Sequence, residues 1–201
     1  MRRMRVLVLM HKDLVPPEQL NGQDLETAAW KTEYDVVSTL RKLGHEVQAL
    51  GVKSDLEVIR AAVEDWKPHI AFNLLEEFDG MAVYDQNVVS YLELMRIPYT
   101  GCNPRGLMLA RDKALAKQVM SYHRIPYPEF MVVPIHRMVR RPKYLPFPLI
   151  VKSITEEASL GISQASIVDD DEKLRERVAF IHDNVGTGAL VERYIEGREL
   201  Y

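Results

Sequence analysis

Apolar, strand-like segments alternate with helical segments along the first hundred residues, and this alternation is the feature that most constrains the fold. Residues 5–10 begin with Arg5 and continue as five successive apolar residues, which is typical of a strand buried on both faces. Residues 26–43 repeat their apolar side chains at helical spacing, and Gly44 follows where a helix-ending glycine is expected. Strands and helices that alternate in this way favour parallel βαβ units with right-handed crossovers.

The remaining elements of this first half continue the alternation. They are predicted as a strand over 45–50, a helix from a Ser54/Glu57 capping box to about residue 66, a strand over 69–75, a helix over 83–96 and a short strand over 97–101. We therefore predict an α/β fold whose first part, residues 1–103, is a doubly wound domain with a parallel sheet.

The pattern changes after residue 103, where one helix over 110–124 leads into a proline-rich stretch. Residues 137–148 combine proline with basic side chains, which favours an exposed connection. Four further elements follow, predicted as a strand over 149–154, a second strand after a loop of small residues, a helix over 171–184 and a strand over 188–195. That order predicts a small α+β unit whose first two strands are joined by the loop.

Composition excludes several classes of protein. The 201 residues are 47% hydrophobic and 27% charged, as in a soluble globular protein. A formal net charge of −3 disfavours a nucleic-acid-binding surface, and no apolar run approaches the roughly 20 residues that span a bilayer. The single cysteine, Cys102, cannot form an internal disulfide, so we expect a reducing, cytoplasmic location.

The sequence contains no P-loop, no cysteine and histidine spacing for zinc and no nucleophile elbow. Two arrangements remain that could carry chemistry. Lys152 ends an apolar strand and precedes residues 155–162, whose small side chains would let backbone N–H groups approach an anion such as a polyphosphate. The alternative is a surface strand end followed by an ordinary turn.

The second arrangement is a pair of carboxylates beyond the last predicted strand. Glu192 and Glu199 lie seven residues apart around Gly197. Two carboxylates that flank a short hinge suit hydroxyl or amine donors, such as a ribose and an exocyclic amine. The alternative is the solvated rim of a hairpin.

Six short motifs occur in an order and spacing that are specific as a set. They are IPYTG (97–101), RDK (111–113), IPYP (125–128), PLIVKS (148–153), EEASLGIS (156–163) and LVERYIEGRE (190–199). This set resembles the ATP-grasp superfamily and, within it, the D-alanine–D-alanine ligase-like branch. The resemblance implies ATP-dependent joining of a carboxylate to an amine through an acylphosphate, with ATP and Mg²⁺ as cofactors and an amino acid or short peptide as substrate.

The resemblance also implies ten ATP-binding residues, each with the role of the family position it matches. They are Lys113 and Lys152 at the phosphates, Glu156, Ser159 and Gly161 in the loop that closes over the phosphates, Glu192, Arg193, Tyr194 and Ile195 in the hinge that binds adenine, and Glu199 at the ribose. Asn73 stands where the ligases have a histidine, and Ala158 where they usually have a serine. The resemblance therefore leaves the substrate open.

In terms of the family, the chain divides into three predicted parts. Residues 1–103 are a Rossmann-like N-terminal domain, 104–190 a central ATP-grasp subdomain, and 191–201 a hinge that begins a third domain. The family's magnesium ligands and catalytic residues are expected beyond Tyr201. We therefore expect a fragment of a ligase that has no metal site of its own and is inactive by itself.

Two hypotheses from other classes stay open. One is a non-catalytic nucleotide-binding or regulatory module that uses only the N-terminal half of the fold. The other is a flavodoxin-like binding domain, which would leave the paired lysines and the hinge glutamates unexplained. Ligases of this branch are often dimers, so the resemblance suggests a homodimer with a small-molecule substrate and with neither nucleic acid nor membrane as a partner.

Overall fold

The computed structural model describes residues 2–18, 24–155 and 163–198. The chain forms two compact units, Met1–Met108 and Leu109–Tyr201, and each unit has its own hydrophobic core. The domain boundaries at 103 and 190 that the sequence suggests stay predictions. In the parts of the chain that the structure describes, no helix has the length and apolar character needed to cross a membrane.

A three-stranded parallel sheet forms the centre of the first unit. Its strands are β1 (Arg5–His11), β2 (Glu46–Val52) and β3 (Ile70–Asn73), in the order β2-β1-β3. In the central strand, Val8 pairs with Ala49 of β2 and with Phe72 of β3. The parallel sheet predicted from the sequence is therefore confirmed, with strand boundaries that differ by no more than two residues.

Helices cover both faces of this sheet. Helix α1 (Lys31–Lys42) lies on one face, and helices α2 (Glu57–Trp66) and α3 (Asp85–Leu94) lie on the other. Successive side chains of a strand point to opposite faces, so Val8 packs with α1 whereas Leu7 packs with α2 and α3. A continuous apolar run is what a strand buried on both faces requires.

The start of α2 differs from the prediction. The helix begins at Glu57, and Ser54 does not cap it. Instead the Oδ1 atom of Asp55 accepts a hydrogen bond from the Glu57 N–H at 2.8 Å. A carboxylate that bonds the backbone two residues later forms an Asx-type turn, which competes with the capping box.

Two other predictions for the first unit, an early start of α1 and a fourth strand, were wrong. Residues 26–30 form turns before α1 and not its first helical turn. Residues 97–101 do not form a regular fourth strand, and Tyr99 makes an isolated parallel bridge with Ala71. Pro98 has no N–H group to donate to a neighbouring strand, which limits the pairing of this short segment.

Two helices replace the single helix predicted over 110–124. They are α4 (Pro104–Arg111) and α5 (Lys113–Tyr122). Asp112 separates the two helices. Its backbone is extended, and its Oδ1 atom accepts a hydrogen bond from the Leu115 N–H at 2.9 Å, as an N-cap residue does. The break places Lys113 in the first turn of α5.

A four-stranded antiparallel sheet forms the centre of the second unit, in the order β4-β7-β5-β6. The strands are β4 (Phe130–Val133), β5 (Leu149–Ser153), β6 (Ile167–Val168) and β7 (Ala189–Arg193). The pairing of β5 with β6 agrees with the predicted pair of strands joined by the small-residue loop. Helix α6 (Asp171–Phe180), continued by a π-helical turn, packs on the core of this sheet.

The sequence did not predict β4, because Pro128 and Pro134 bracket a segment of only a few residues. Residues 137–148, predicted as an exposed connection, are irregular in structure and mostly exposed. However, Leu145 in this segment is fully buried and belongs to the core of the second unit. The connection therefore contributes Leu145 to that core, and its partly buried Val139 and Phe147 pack against the same core.

Candidate functional site

A small pocket in the second unit is lined by three lysines and one glutamate. Its volume is about 240 Å³. The lining residues are the charged Lys113, Lys117, Lys152 and Glu192 and the apolar Ala110, Ala116, Met120 and Leu190. Three cations against one anion make the lining positive, although the whole chain has a formal net charge of −3. This local charge suits an anionic ligand.

The pairing of β5 with β7 brings Lys152 and Glu192 together. Lys152 lies opposite Leu190, and Ile150 lies opposite Glu192. The two charged residues are therefore diagonal neighbours on one face of the sheet, within reach of long side chains. Lys152 Nζ donates a hydrogen bond to Glu192 Oε1 at 2.6 Å.

Lys117 approaches the same carboxylate from helix α5. Lys113 and Lys117 are four residues apart on this helix, so they share a face. Lys117 Nζ lies 2.8 Å from Glu192 Oε2, an ion-pair distance, although Oε2 has no hydrogen bond of regular geometry. The Lys117 ammonium also lies 5.8 Å from the ring centroids of Tyr127 and of Phe130, within cation–π range.

Glu192 is a buried carboxylate, with 5% of its surface exposed. Burial acts to raise the pKa of Glu192, but the ammonium groups of Lys117 and Lys152 outweigh it and hold this pKa below its usual value. The carboxylate is therefore charged at neutral pH. Each of its two oxygens faces a different lysine.

Lys113 joins the start of α5 to the end of β5. Its backbone N–H donates to the carbonyl oxygen of Ile154 at 3.3 Å, and its Nζ lies 3.4 Å from the same oxygen. Ile154 directly follows β5, the strand that carries Lys152. These contacts bring Lys113 to the same pocket as Lys152.

The first two of the three residues after Glu192 donate backbone hydrogen bonds to residues outside the pocket lining. Arg193 donates its N–H to the carbonyl of Glu129 at 2.9 Å, and Tyr194 donates to the carbonyl of Pro148 at 3.1 Å. Ile195 is 60% exposed. None of these three predicted site residues is part of the pocket lining.

The structure thus brings three of the ten predicted site residues into one pocket: Lys113, Lys152 and Glu192. Four others lie outside the described residues, namely Glu156, Ser159, Gly161 and Glu199. Sequence reasoning missed Lys117. Its four-residue spacing from Lys113 in a helical segment was the signal that could have identified it.

Within residues 2–18, 24–155 and 163–198, no group of three or more His, Cys, Asp or Glu side chains is arranged to hold a metal ion. In the first unit, Glu77 Oε1 lies 3.2 Å from His11 Nε2. The neighbouring Asp79 uses its N–H to bond the carbonyl of Lys53 at 2.7 Å.

No family model matches the chain, but curated proteins are similar to it. A D-alanine–D-alanine ligase of Acidiphilium cryptum is 31% identical over 165 residues, which are 82% of this chain and 52% of that protein. A D-alanine–D-alanine ligase of Aquifex aeolicus is 28% identical over 198 residues, which are 98% of this chain and 61% of that protein. The chain spans about half the length of most of the curated relatives it matches.

Solved structures are similar in fold. The D-alanine–D-alanine ligase from Bacillus anthracis complexed with ATP has a TM-score of 0.70 and 21% identity, over 96% of this chain and 60% of that chain. The VanG D-Ala:D-Ser ligase from Enterococcus faecalis has a TM-score of 0.62 and 18% identity, over 98% of this chain and 64% of that chain. At these identities, the likeness establishes the fold alone.

Proposed function

We propose that this chain, a member of the D-alanine–D-alanine ligase-like branch of the ATP-grasp superfamily, carries the ATP site of a carboxylate–amine ligase. The observation that carries the proposal is the positive pocket between α5 and the β5–β7 pair. Lys113, Lys117 and Lys152 line this pocket around one carboxylate. The curated relatives named as ligases support the proposed reaction class, and the charge of the pocket supports the proposed location of the nucleotide.

The lining of the pocket fits the phosphates of a nucleotide. Ammonium groups are compact donors that bind phosphate oxygens, and two of the four apolar lining residues are alanines, which leave room beside them. In this proposal Lys113 and Lys152 contact phosphate oxygens. Residues 192–195, at the end of β7, form the hinge that binds the adenine. Glu156, Ser159 and Gly161 belong to the loop that closes on the phosphates, and Glu199 binds the ribose.

The proposed reaction joins two small molecules. The carboxylate of one substrate accepts the terminal phosphoryl group of ATP and becomes an acylphosphate, which releases ADP. The amine of the second substrate then attacks the acyl carbon, so that an amide bond forms and phosphate leaves. Mg²⁺ would neutralise phosphate charge when bound, and the lysines of the pocket would add to that neutralisation.

Amino acids or short peptides are the substrates we propose. The relatives named D-alanine–D-alanine ligase define this class. Asn73 at the end of β3 differs from the histidine that the family resemblance leads one to expect, so we assign neither D-alanine nor a chirality.

Calorimetric titration with ATP tests the proposal, performed on the 201-residue chain and on the product of the complete reading frame that contains it. Lys152→Met removes one charge-assisted contact and should weaken ATP binding at least about tenfold. Lys173→Met is the matched control, because Lys173 belongs to the same unit but pairs with Asp169 on the surface. Its ATP affinity should equal that of the wild type.

The reaction is tested by phosphate release from ATP with a panel of D- and L-amino acids. Amino-acid-dependent release supports the ligase. Absence of ATP binding to the complete product, or an ATP affinity that Lys152→Met leaves unchanged, would overturn the proposed site. ATP binding without release by any amino acid would instead favour the non-catalytic nucleotide-binding module.

A further inference from the structure

The connection between β4 and β5 carries three exposed cations, Arg137, Arg140 and Lys143. None of the three forms an ion pair within the described part of the chain. The neighbouring Arg141 differs, because it binds the carboxylate of Asp171 with two nitrogens, at 2.8 Å and 3.3 Å. The whole chain has a formal net charge of −3, so these three cations form a local excess of positive charge.

Two large apolar side chains are exposed among these cations. Met138 is 83% exposed, and Tyr144 is 64% exposed. Both of them line a pocket of about 290 Å³ together with Arg137 and Arg140. The other described lining residues are apolar, namely Met131, Val132, Val133, Pro134 and Pro142. The pocket therefore combines two arginines with apolar walls, which suits a ligand that is both anionic and apolar.

Inward-facing side chains fix this connection to the second unit. Leu145 is fully buried in the core of the unit, and Val139 and Phe147 pack against that core. The Arg141 guanidinium lies 4.4 Å from the centre of the Phe147 ring and donates a hydrogen bond to the carbonyl oxygen of Leu145 at 3.0 Å. The backbone that carries the outward side chains is thus held before a partner binds, which lowers the entropic cost of binding.

We propose that residues 137–144 form a docking surface for a membrane that contains anionic lipids. The three unpaired cations contact the phosphates of the lipid head groups, since guanidinium and ammonium groups both bind phosphate oxygens. Met138 and Tyr144 enter the interfacial layer of the bilayer beside them, where apolar and aromatic side chains are favoured. This docking surface is independent of the proposed ATP site, and it differs from the family resemblance, which suggests no membrane partner.

The small extent of the docking surface favours lipid over an acidic protein. A standard protein interface takes roughly 20–30 residues from each partner. Here the exposed cations and apolar side chains all belong to one segment, residues 137–144. A fluid layer of lipids needs no complementary shape, so a few basic side chains with apolar neighbours are enough to bind it.

Sedimentation with lipid vesicles tests the docking surface in the complete gene product. The wild type should bind vesicles of phosphatidylglycerol mixed with phosphatidylcholine, should not bind phosphatidylcholine alone, and should bind less as the salt concentration rises. Loss of one cation near the membrane should weaken binding about fivefold. The triple variant Arg137→Gln/Arg140→Gln/Lys143→Gln should therefore bind the anionic vesicles about 100-fold more weakly than the wild type.

A second triple variant, Arg124→Gln/Lys173→Gln/Arg175→Gln, is the matched control. It removes the same charge from exposed positions of the second unit that lie outside residues 137–144. Its binding to the anionic vesicles should stay within about twofold of the wild type, because charges that do not face the membrane are screened by salt. Both triple variants should keep the wild-type affinity for ATP and the wild-type circular dichroism spectrum.

The apolar side chains are tested by Met138→Ser/Tyr144→Ser, which should bind the anionic vesicles about tenfold more weakly. Equal behaviour of the wild type with the two kinds of vesicle would overturn the docking surface. Equal vesicle binding by the two triple variants would also overturn it. Binding of glycerol 3-phosphate, polyglutamate or an oligonucleotide in the absence of vesicle binding would instead assign residues 137–144 to a soluble anion and so contradict the membrane partner.

Discussion

Replacement of Glu192 by glutamine tests how much the ion pairs of this buried carboxylate contribute to the free energy of unfolding. The change keeps the shape of the side chain but removes the charge that faces two ammonium groups at 2.6 Å and 2.8 Å. A charge-assisted hydrogen bond contributes about 1.5–3 kcal/mol, and breaking a buried ion pair costs about 3–5 kcal/mol. The two lysines are 13% and 27% exposed and can regain water, so we expect the low end, about 2 kcal/mol.

The stability lost in Glu192→Gln should depend on pH, in a direction set by the pKa of Glu192. The folded state holds this pKa below its unfolded value. The charged carboxylate therefore stabilises the fold fully above an unfolded pKa of about 4.3, and this contribution is lost as the pH falls through the folded pKa. Glutamine does not titrate, so the difference between the two proteins should be largest near neutral pH and shrink in acid.

Urea unfolding measured by circular dichroism at several pH values would show this difference. Glu196→Gln is the control, because Glu196 is exposed and close in sequence. Both tryptophans, Trp30 and Trp66, lie in the first unit, whereas Glu192 lies in the second. Tryptophan fluorescence would therefore follow the unfolding of the wrong unit, which is why circular dichroism is used. Equal stability of Glu192→Gln and the wild type at neutral pH, or a difference that persists unchanged in acid, would refute the reasoning.

Three further predictions concern other parts of the chain. The Asp170 side chain caps the N-terminus of α6 by accepting hydrogen bonds from the N–H groups of residues 172 and 173. Asp170→Ala removes this cap and should lower the free energy of unfolding in urea by about 1 kcal/mol. Gly186→Ala should cost roughly 1 kcal/mol in the same assay, because Gly186 has a φ of +74°. The hydrogen bond to Glu93 raises the pKa of Tyr99 to about 12, so Glu93→Gln should lower that pKa in a phenolate absorbance titration.

The parallel sheet could be predicted because its signal is local. The central strand β1 is apolar at successive positions, and each of its faces must meet a helix. The ends of elements were harder to predict, since they depend on single side-chain contacts. Asp112 lies inside a segment with helical spacing, yet its carboxylate caps α5 and divides the segment into two helices.

The candidate site was predicted only in part, because its key contacts join residues far apart in the chain. Lys152 and Glu192 are 40 residues apart and meet only through the register of β5 with β7. The apolar pattern of a strand indicates which of its faces is buried, but it does not identify the distant strand with which it pairs. The spacing of Lys117 from Lys113 is visible in the sequence, but its contact with Glu192 is not, since those two residues meet only in the folded unit.

The central claim is that the lysine pocket binds the phosphates of ATP. An ATP analogue that carries an amine-reactive acyl phosphate at its terminal phosphate tests this claim directly, because it transfers a mass tag to lysines near that phosphate. Mass spectrometry should find the tag on Lys113 or Lys152, and excess ATP should suppress it. Tagging confined to lysines outside the pocket, such as Lys53 or Lys173, or tagging that excess ATP does not reduce, would contradict the account.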